Sequence, residues 1–495
     1  MAHRLRSEES PLRSHSSEGL LREAVARRLD FGETGRVWSV RGYMAKDLRS
    51  FIKQLELHGP DEWVRIKKKV SPKYEATTIL FKLEGQAKYP AVYFEQLDGF
   101  SIPAIANVHA TRKRLALALD VEEGELVEEY KKRENARISP ESVRGGPVKE
   151  VIHVGTDVDL NRLPLFTHFD INTAPYITAG IVVARDPLSQ VRNLSFNRGM
   201  LVGKNRLHMH LAPGMHLSRC YRNAEERDEP LEIAIILGVH PAFSIGALAL
   251  VPFDVDEYDI IGGMLREPVP LVKCETVALE VPVNAEIVLE GKILPHVRED
   301  EGPFGEYSGH SVGVDKHHVI EISAITQRQS PIYQDVFTGH SEHRLMGAIP
   351  RESAIFKAVK AVAPGTRAVH MPVSGCCRFH CYISLDKRSE GEVRNAVFAA
   401  LAADLYLKLV VVVDSDIDVY NEREVLWAMA NRFQADRDIL VIPNCQGSEV
   451  DPSAKKGGIT TKMAIDATQK GKELPKRLRV PPEVAERIKL EDYIE

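Results

Sequence analysis

Two carboxylates, Glu301 and Glu306, stand five residues apart in the stretch EGPFGEYSGH (301–310). Between them lies Gly-Pro-Phe-Gly, which sustains neither a helix nor a regular strand. Pro303 fixes its own φ and the flanking glycines allow close backbone approach, so the segment reads as a stiff, defined loop. If both acids enter one cleft, their charges oppose each other and one pKa rises, giving a proton donor usable near neutral pH. A cation between them would stabilise such a pair. Arg198 in NLSFNRG is the candidate, because a planar guanidinium can clamp a carboxylate with two parallel hydrogen bonds. Spacing alone leaves open the alternative of a solvated surface loop.

Other chemical-looking clusters read as structure. DSDID (414–418) opens like a calcium loop, but Val419 and Val425 stand where that loop needs Gly and Glu. It reads as an acidic strand end leading into a helix. GCCRFHC (375–381) brings three cysteines and a histidine together but continues into YISL, so a buried strand with inert thiols is expected rather than a zinc site. No GxGxxG follows a strand, and no Walker loop occurs.

The elements that must position these residues follow from pattern and composition. The chain has 495 residues, 44% of them hydrophobic, and a formal net charge of −5. Lys and Arg are dispersed, which favours neither a nucleic-acid nor a membrane partner. No apolar run reaches the roughly 18 residues of a bilayer span and no secretory signal is recognisable, so a cytoplasmic protein is expected. The cysteines at 220, 274, 376, 377, 381 and 445 read as free thiols. Residues 1–43 form a polar extension, disordered or partly helical. An N-terminal α/β segment spans 44–150. Residues 151–335 are mostly β-type runs, with LVGKNRL a hairpin. An interdomain linker is expected at 336–350 and an α/β domain with a C-terminal helix at 351–495. Within the latter, KLVVVVDSD, EREVLWAMANRF and DILVIPN predict a βαβ unit with a parallel strand pair. A regular strand would place Asn193 and Arg198 on opposite faces unless a bulge intervenes.

NLSFNR (193–198), Glu257 in FDVDEYDIIGGMLREP, LVKCETVALEVPVNAEIVLEG from Leu271, and EGPFGEYSGH together resemble the UbiD family of reversible decarboxylases, which includes the ferulic acid decarboxylases. The resemblance runs from about Met44 to KMAIDAT near 468. It implies an α+β fold: a split β-barrel flavin-binding domain, a flanking N-terminal α/β segment and a C-terminal α/β oligomerisation domain. It implies prenylated FMN (prFMN) with Mn²⁺ or Mg²⁺ and K⁺, and a flavin prenyltransferase as supplier. By the same resemblance Asn193, His216 and Glu257 are metal ligands, and Ser195, Phe196, Asn197, Arg198, Met215 and Lys462 are further cofactor contacts. The catalytic trio becomes Glu301, Arg198 and Glu306: Arg198 orients the leaving carboxylate, Glu306 delivers the proton, and Glu301 holds Arg198.

The chain departs from the pattern in its N-terminal extension and at His210, where the ubiquinone-pathway enzymes carry Arg. The expected substrate is a small aromatic, heteroaromatic or α,β-unsaturated carboxylic acid. His340, His343 or Arg344 of GHSEHR would meet its polar substituent or second carboxylate; otherwise that segment is an exposed connector. A homodimer or homohexamer is expected. The rival readings are a plain-FMN flavin reductase on a similar barrel and a non-catalytic carboxylase subunit. The latter would have lost some of the six site residues, all of which are present.

Overall fold

Helix Leu48–Glu56 begins at a capping box, in which Asp47 accepts from the Ser50 amide and Ser50 Oγ accepts from the Asp47 amide. In this computed structural model, which describes residues 46–471, 477, 478 and 480–494, it is the first helix. The extension expected at 1–43 lies outside the described residues. Leu48, Phe51, Ile52 and Leu55 fall at helical spacing and pack onto Ala91 and Ile105 of a four-stranded sheet. That sheet comprises Trp63–Ile66, Ala91–Phe94, Ala104–Ala106 and, entering from beyond the central domain, Tyr333–Gln334. The N-terminal layer and the β domain are thereby joined.

The central sheet runs in the order Tyr176–Ile177, Gly199–Gly203, Arg206–Met209, Asp315–Gln327, Ile287–Glu301, Leu231–Leu237, Ile181–Arg185, Arg192–Phe196, antiparallel throughout. Val151–Val154 adds to Asp315–Gln327. The sheet must curl. Laid flat, Tyr176–Ile177 and Ile181–Arg185 would lie about six strand spacings, roughly 28 Å, apart. The chain from Ile177 to Ile181 reaches at most about 14 Å. The Asn197 amide donates to Gly180 O at 3.1 Å where the ends meet. Alternation then covers both faces: Val182, Leu207, Ile235 and Leu289 share one core, while Ile181, Val183, Ile236 and Val288 pack against helices Pro241–Gly246 and Glu257–Leu265. The predicted hairpin forms between Gly199–Gly203 and Arg206–Met209.

Two long strands aim the acidic loop. Ile287–Glu301 and Asp315–Gln327 pair from Ile287 opposite Gln327 to Glu301 opposite Asp315. Glu301 is thus the last residue of a strand, and the chain then turns through a cis Gly302–Pro303 peptide into a two-residue strand, Phe304–Gly305. Both glycines are required by contact: a Cβ would meet Gly313 O at 2.5 Å from position 302 and the Phe169 ring at 2.5 Å from position 305.

The C-terminal sheet has the order Thr366–His370, His380–Leu385, Leu409–Val413, Ile459–Ala467, Ile439–Gln446. The expected βαβ unit is absent. Leu409–Val413 pairs in parallel with Ile459–Ala467, and Ile439–Gln446 lies outside it, antiparallel. Pro443 explains the choice: it cannot donate to a ladder, so its strand takes the edge, while the more deeply buried Ile459–Ala467 fills the interior slot. Asp414 and Asp416 are held by Arg432, as an acidic strand end should be.

Two further expectations need correction. GCCRFHC is a turn up to Phe379, with Cys376 and Cys377 at positive φ, and the strand starts only at His380. The thiols of Cys377 and Cys381 are buried and pushed up by that burial, Cys377 to about 12, so their inertness stands. Residues 336–350 are not an exposed connector. They hold helix Ser341–Met346 and the start of helix Ala348–Val362, and Phe337, Glu342, Ala348 and Ile349 are buried. Glu342 organises the segment, accepting from the amides of Asn107, His109 and Phe337.

Candidate active site

Arg198 sits outside both strands, in the two-residue step between Arg192–Phe196 and Gly199–Gly203, just past the Asn197–Gly180 hydrogen bond that extends the pairing of Phe196 with Ile181. The face alternation weighed from sequence therefore does not apply to it. Its Nε and Nη2 donate to Glu301 Oε1 and Oε2, both at 2.9 Å, a two-pronged clamp. Its Nη1 contacts Glu306 Oε1, and Phe304 lies beneath the guanidinium, 4.6 Å from the ring centroid. The loop closes on itself through Glu306 N to His310 O at 2.9 Å and Gly309 N to Glu306 O at 2.9 Å.

The two acids are electrostatically unequal. Burial pushes the Glu301 carboxyl up, but the Arg198 hydrogen bonds and charge, together with His317, outweigh it and hold Glu301 below the usual carboxylate range. For Glu306 burial wins: it raises the carboxyl above its ordinary value, Arg198 offsets only part, and the Glu301 charge adds to the rise. One acid is thus a fixed anion and the other a poised proton carrier.

Two adjoining cavities meet at this site. The smaller, about 180 Å³, is lined by Arg198, Glu306, His210, Thr338, His343 and Met346. The larger, about 530 Å³, shares Phe196, Asn197 and Ala212 with it and extends past Ser195 and Met215 to Asn193, His216 and Glu257. A volume in the ~300–1,000 Å³ range with apolar walls from Leu211, Leu248, Val251 and Leu405 suits a flavin-sized ligand. At its far end Asn193 Nδ2 and the Leu194 amide donate to Glu257 at 3.0 and 2.9 Å, and His216 Nδ1 lies 3.7 Å from Glu257 Oε1. Glu257 opens helix Glu257–Leu265, and His216 opens helix His216–Glu225 with Met215 as N-cap.

Burial raises the Glu257 carboxyl, and an adjacent cation would favour its ionised form. Among the described residues no three His, Cys, Asp or Glu side chains converge as a metal cluster. This set has one Glu and one His, its third member being an amide. A carboxylate, an amide oxygen and a neutral imidazole fit Mn²⁺ or Mg²⁺ once Asn193 turns its amide over. The donor set therefore fits a metal–phosphate end.

The remaining expected residues divide. Ser195 Oγ receives Asn197 Nδ2 at 2.9 Å, which fixes the side chains around Phe196. Lys462 does not line the cavity; it donates to Leu405 O at 2.9 Å and so supports a wall segment. Of the three substrate candidates, His343 lines the smaller of these two cavities and the other two line neither. His340 stacks on Phe337 with centroids 4.0 Å apart and pairs with Glu84, and Arg344 Nε donates to Tyr307 O at 2.9 Å. His343 is driven down to about 3 by burial and by nearby Arg378, hence neutral. His210 is likewise lowered to about 3 by burial and by Arg198, so it is no cationic substitute for the family's arginine. Sequence reasoning missed Arg351, Arg378, Asp404 and Tyr406, which line the larger cavity from the C-terminal domain. Arg378 lay within a motif read as a strand, and no local signal marked it.

Comparison with known proteins matches three stretches. Residues 55–134 match the N-terminal domain of 3-octaprenyl-4-hydroxybenzoate carboxy-lyase, 141–341 its Rift-related domain and 344–467 its C-terminal domain. Anhydromevalonate phosphate decarboxylase of Methanothermobacter thermautotrophicus is 38% identical over 429 residues, 85% of this chain and 96% of that one. The UbiD-class enzyme HmfF from Pelotomaculum thermopropionicum, solved with FMN, is 38% identical with a TM-score of 0.85, covering 90% of this chain and 100% of that one. Its evolved dimeric form, solved with prFMN, gives a TM-score of 0.82 at 37% identity, covering 91% and 100%. No helix among the described residues is long and apolar enough to cross a membrane.

Proposed function

Because this chain belongs to the UbiD family of carboxy-lyases, we propose that it catalyses the reversible, non-oxidative decarboxylation of a small unsaturated acid. Aromatic, heteroaromatic and α,β-unsaturated acids are the candidate classes, with prFMN, Mn²⁺ or Mg²⁺, and K⁺ as cofactors. The observation that carries this reading is the Glu301–Arg198–Glu306 array, with its two carboxyls shifted in opposite directions beside a flavin-sized cavity. When bound, prFMN supplies an electron sink for the pair left on carbon as CO₂ departs.

The chain's own residues do the rest. Glu301, held ionised, keeps the guanidinium in one orientation. Protonation of Glu306 weakens its hold on Arg198 Nη1 and frees that donor for the substrate carboxylate. The C–C bond breaks, CO₂ leaves, and Glu306 passes its proton to the vacated carbon. Glu306, now anionic, returns to Arg198 until it takes up another proton. In the reverse direction the same carboxylate removes the proton. Asn193, His216 and Glu257 would hold the metal and phosphate, and Lys462 would brace the wall near Leu405.

The reading is tested with protein co-produced with a flavin prenyltransferase, scoring CO₂ release and deuterium uptake at the product carbon across an acid panel. Modified-flavin absorbance with turnover of at least one acid supports it; a flavin-loaded protein that turns over none of them refutes it. Glu257→Ala is expected to copurify with less flavin and to bind Mn²⁺ about 10- to 100-fold more weakly, read by absorbance and metal analysis. A flavin reductase would need an electron donor and would have no use for a proton donor at Glu306. Assembly as a homodimer or homohexamer belongs to the same proposal.

A further inference from the structure

We infer that Arg378, backed by Arg351, forms a subsite for a second anionic group of the substrate, so that the preferred acid carries a carboxylate at Arg198 and a remote carboxylate or phosphate at Arg378. This rests on the cavity being the reaction site proposed above. Arg378 is 8% exposed and lies in the wall of the larger cavity with Gly347, Arg351, Asp404 and Tyr406. Its Nη1 donates to Arg344 O at 3.2 Å and to Cys377 O at 2.8 Å, while Nε and Nη2 make no hydrogen bond among the described residues.

The absence of a carboxylate in contact sets this arginine apart. Arg114, Arg133, Arg328 and Arg432 are buried to a similar degree, and each meets a carboxylate: Glu62, Glu129, Asp47 and Asp416 respectively. Among the described residues no carboxylate comes within ion-pair distance of Arg378, and Glu306 and Asp404 act on it only from farther away. Asp404, in the same wall, is already engaged, one oxygen by Arg351 and the other by the Tyr406 amide at 2.9 Å. Burial and the neighbouring Arg351 draw Arg378 down to about 10, which still leaves it cationic at neutral pH. A buried guanidinium with no carboxylate in contact and donors to spare on a cavity wall is most simply completed by an anionic ligand.

Its place points to substrate rather than to the phosphate end of the cofactor. The guanidinium lies 5.3 Å from the ring centroid of Tyr307, the residue after the proton donor, and against Gly347, next to Met346 of the smaller cavity. A Cβ at position 347 would come within 2.2 Å of Arg378 Nη2, so the glycine makes room for the guanidinium. His343 accepts the Gly339 amide on Nδ1 at 3.3 Å, leaving Nε2 to donate, and Thr338 Oγ1 is buried without a partner. Neutral hydrogen-bonding groups thus line the smaller cavity near two cationic positions.

The test uses flavin-loaded protein and unreactive ligands, so that it reads binding and not turnover. Glutarate and 3-phosphonopropionate carry two anionic groups, butyrate one, and all three are titrated calorimetrically. Wild type is expected to favour the doubly anionic ligands, and R378Q to lose about 10- to 100-fold of that preference. R378K, which keeps the charge, should recover part of it at unchanged Tm. The order of glutarate and 3-phosphonopropionate decides between a carboxylate and a phosphate. Equal binding of all three ligands by wild type overturns the inference, as does an equal loss for all three in R378Q. Reduced flavin content in R378Q also overturns it by assigning Arg378 to the cofactor. Failure to turn over glutaconate, crotonate or any other acid would sink the decarboxylase reading instead, leaving the binding result to stand.

Discussion

Glu306→Gln is expected to lower kcat by about 10²- to 10⁴-fold, the usual contribution of a positioned general acid, with flavin content and substrate KM changing far less. The amide keeps the shape and can still meet Arg198 Nη1, but it has no proton to give to the vacated carbon. The same residue sets the alkaline limb of the pH profile. Its carboxyl is raised, so the protonated donor is present at low pH and is lost as pH rises through the raised value. Glu301 is lowered, so the clamp on Arg198 fails only when pH falls below the ordinary carboxylate range. In Glu306→Gln the alkaline limb should vanish and the acid limb persist. A variant retaining the wild-type alkaline limb would remove Glu306 from the role of donor.

Arg198→Ala should affect activity and stability together. Glu301 is fully buried, and both of its oxygens rely on the guanidinium. Removing the cation leaves a buried carboxylate unpaired beside a second one, which costs about 3–5 kcal/mol. The cost depends on pH, and its sign follows from the shifts. Wild-type Glu301 has a depressed pKa, so it contributes stability above its unfolded value that is lost as pH falls through the folded one. Without Arg198 that contribution is gone. The deficit measured by denaturant unfolding should therefore be largest near neutral pH and shrink towards acid, where both acids are protonated. A deficit equally large in acid would mean that packing on Phe304, not charge, is what Arg198 provides. Decarboxylation should be undetectable in this variant.

The fold was legible wherever a local pattern decides the outcome. The hairpin around Lys204–Asn205 follows from turn residues between alternating strands, and helix Glu422–Arg432 from the pattern of EREVLWAMANRF. Pairing in the C-terminal sheet was not legible. Leu409–Val413 and Ile439–Gln446 look like consecutive members of one unit, yet Ile459–Ala467 enters between them. Strand order is settled by competition for an interior slot, and that depends on a strand still to come in the chain. Residues 336–350 misled for a related reason: their polar side chains turn inward, where Glu342 gathers three amides from two segments.

The sequence by itself determined the residue types of the site, the stiffness of the loop between Glu301 and Glu306, and a family pattern held in order along the chain. Only the tertiary structure decided that Arg198 reaches Glu301 across 103 residues and Glu306 across 108. It also decided that the two acids titrate apart, that His340 and Arg344 turn away from the cavity while His343 enters it, and that Arg378 has no carboxylate in contact. The physical reason is common to these. Spacing sets which side chains are neighbours on one element, but a pKa or an unpaired charge depends on burial and on groups brought in by other elements, and those distances exist only once the sheet has curled and the domains have packed.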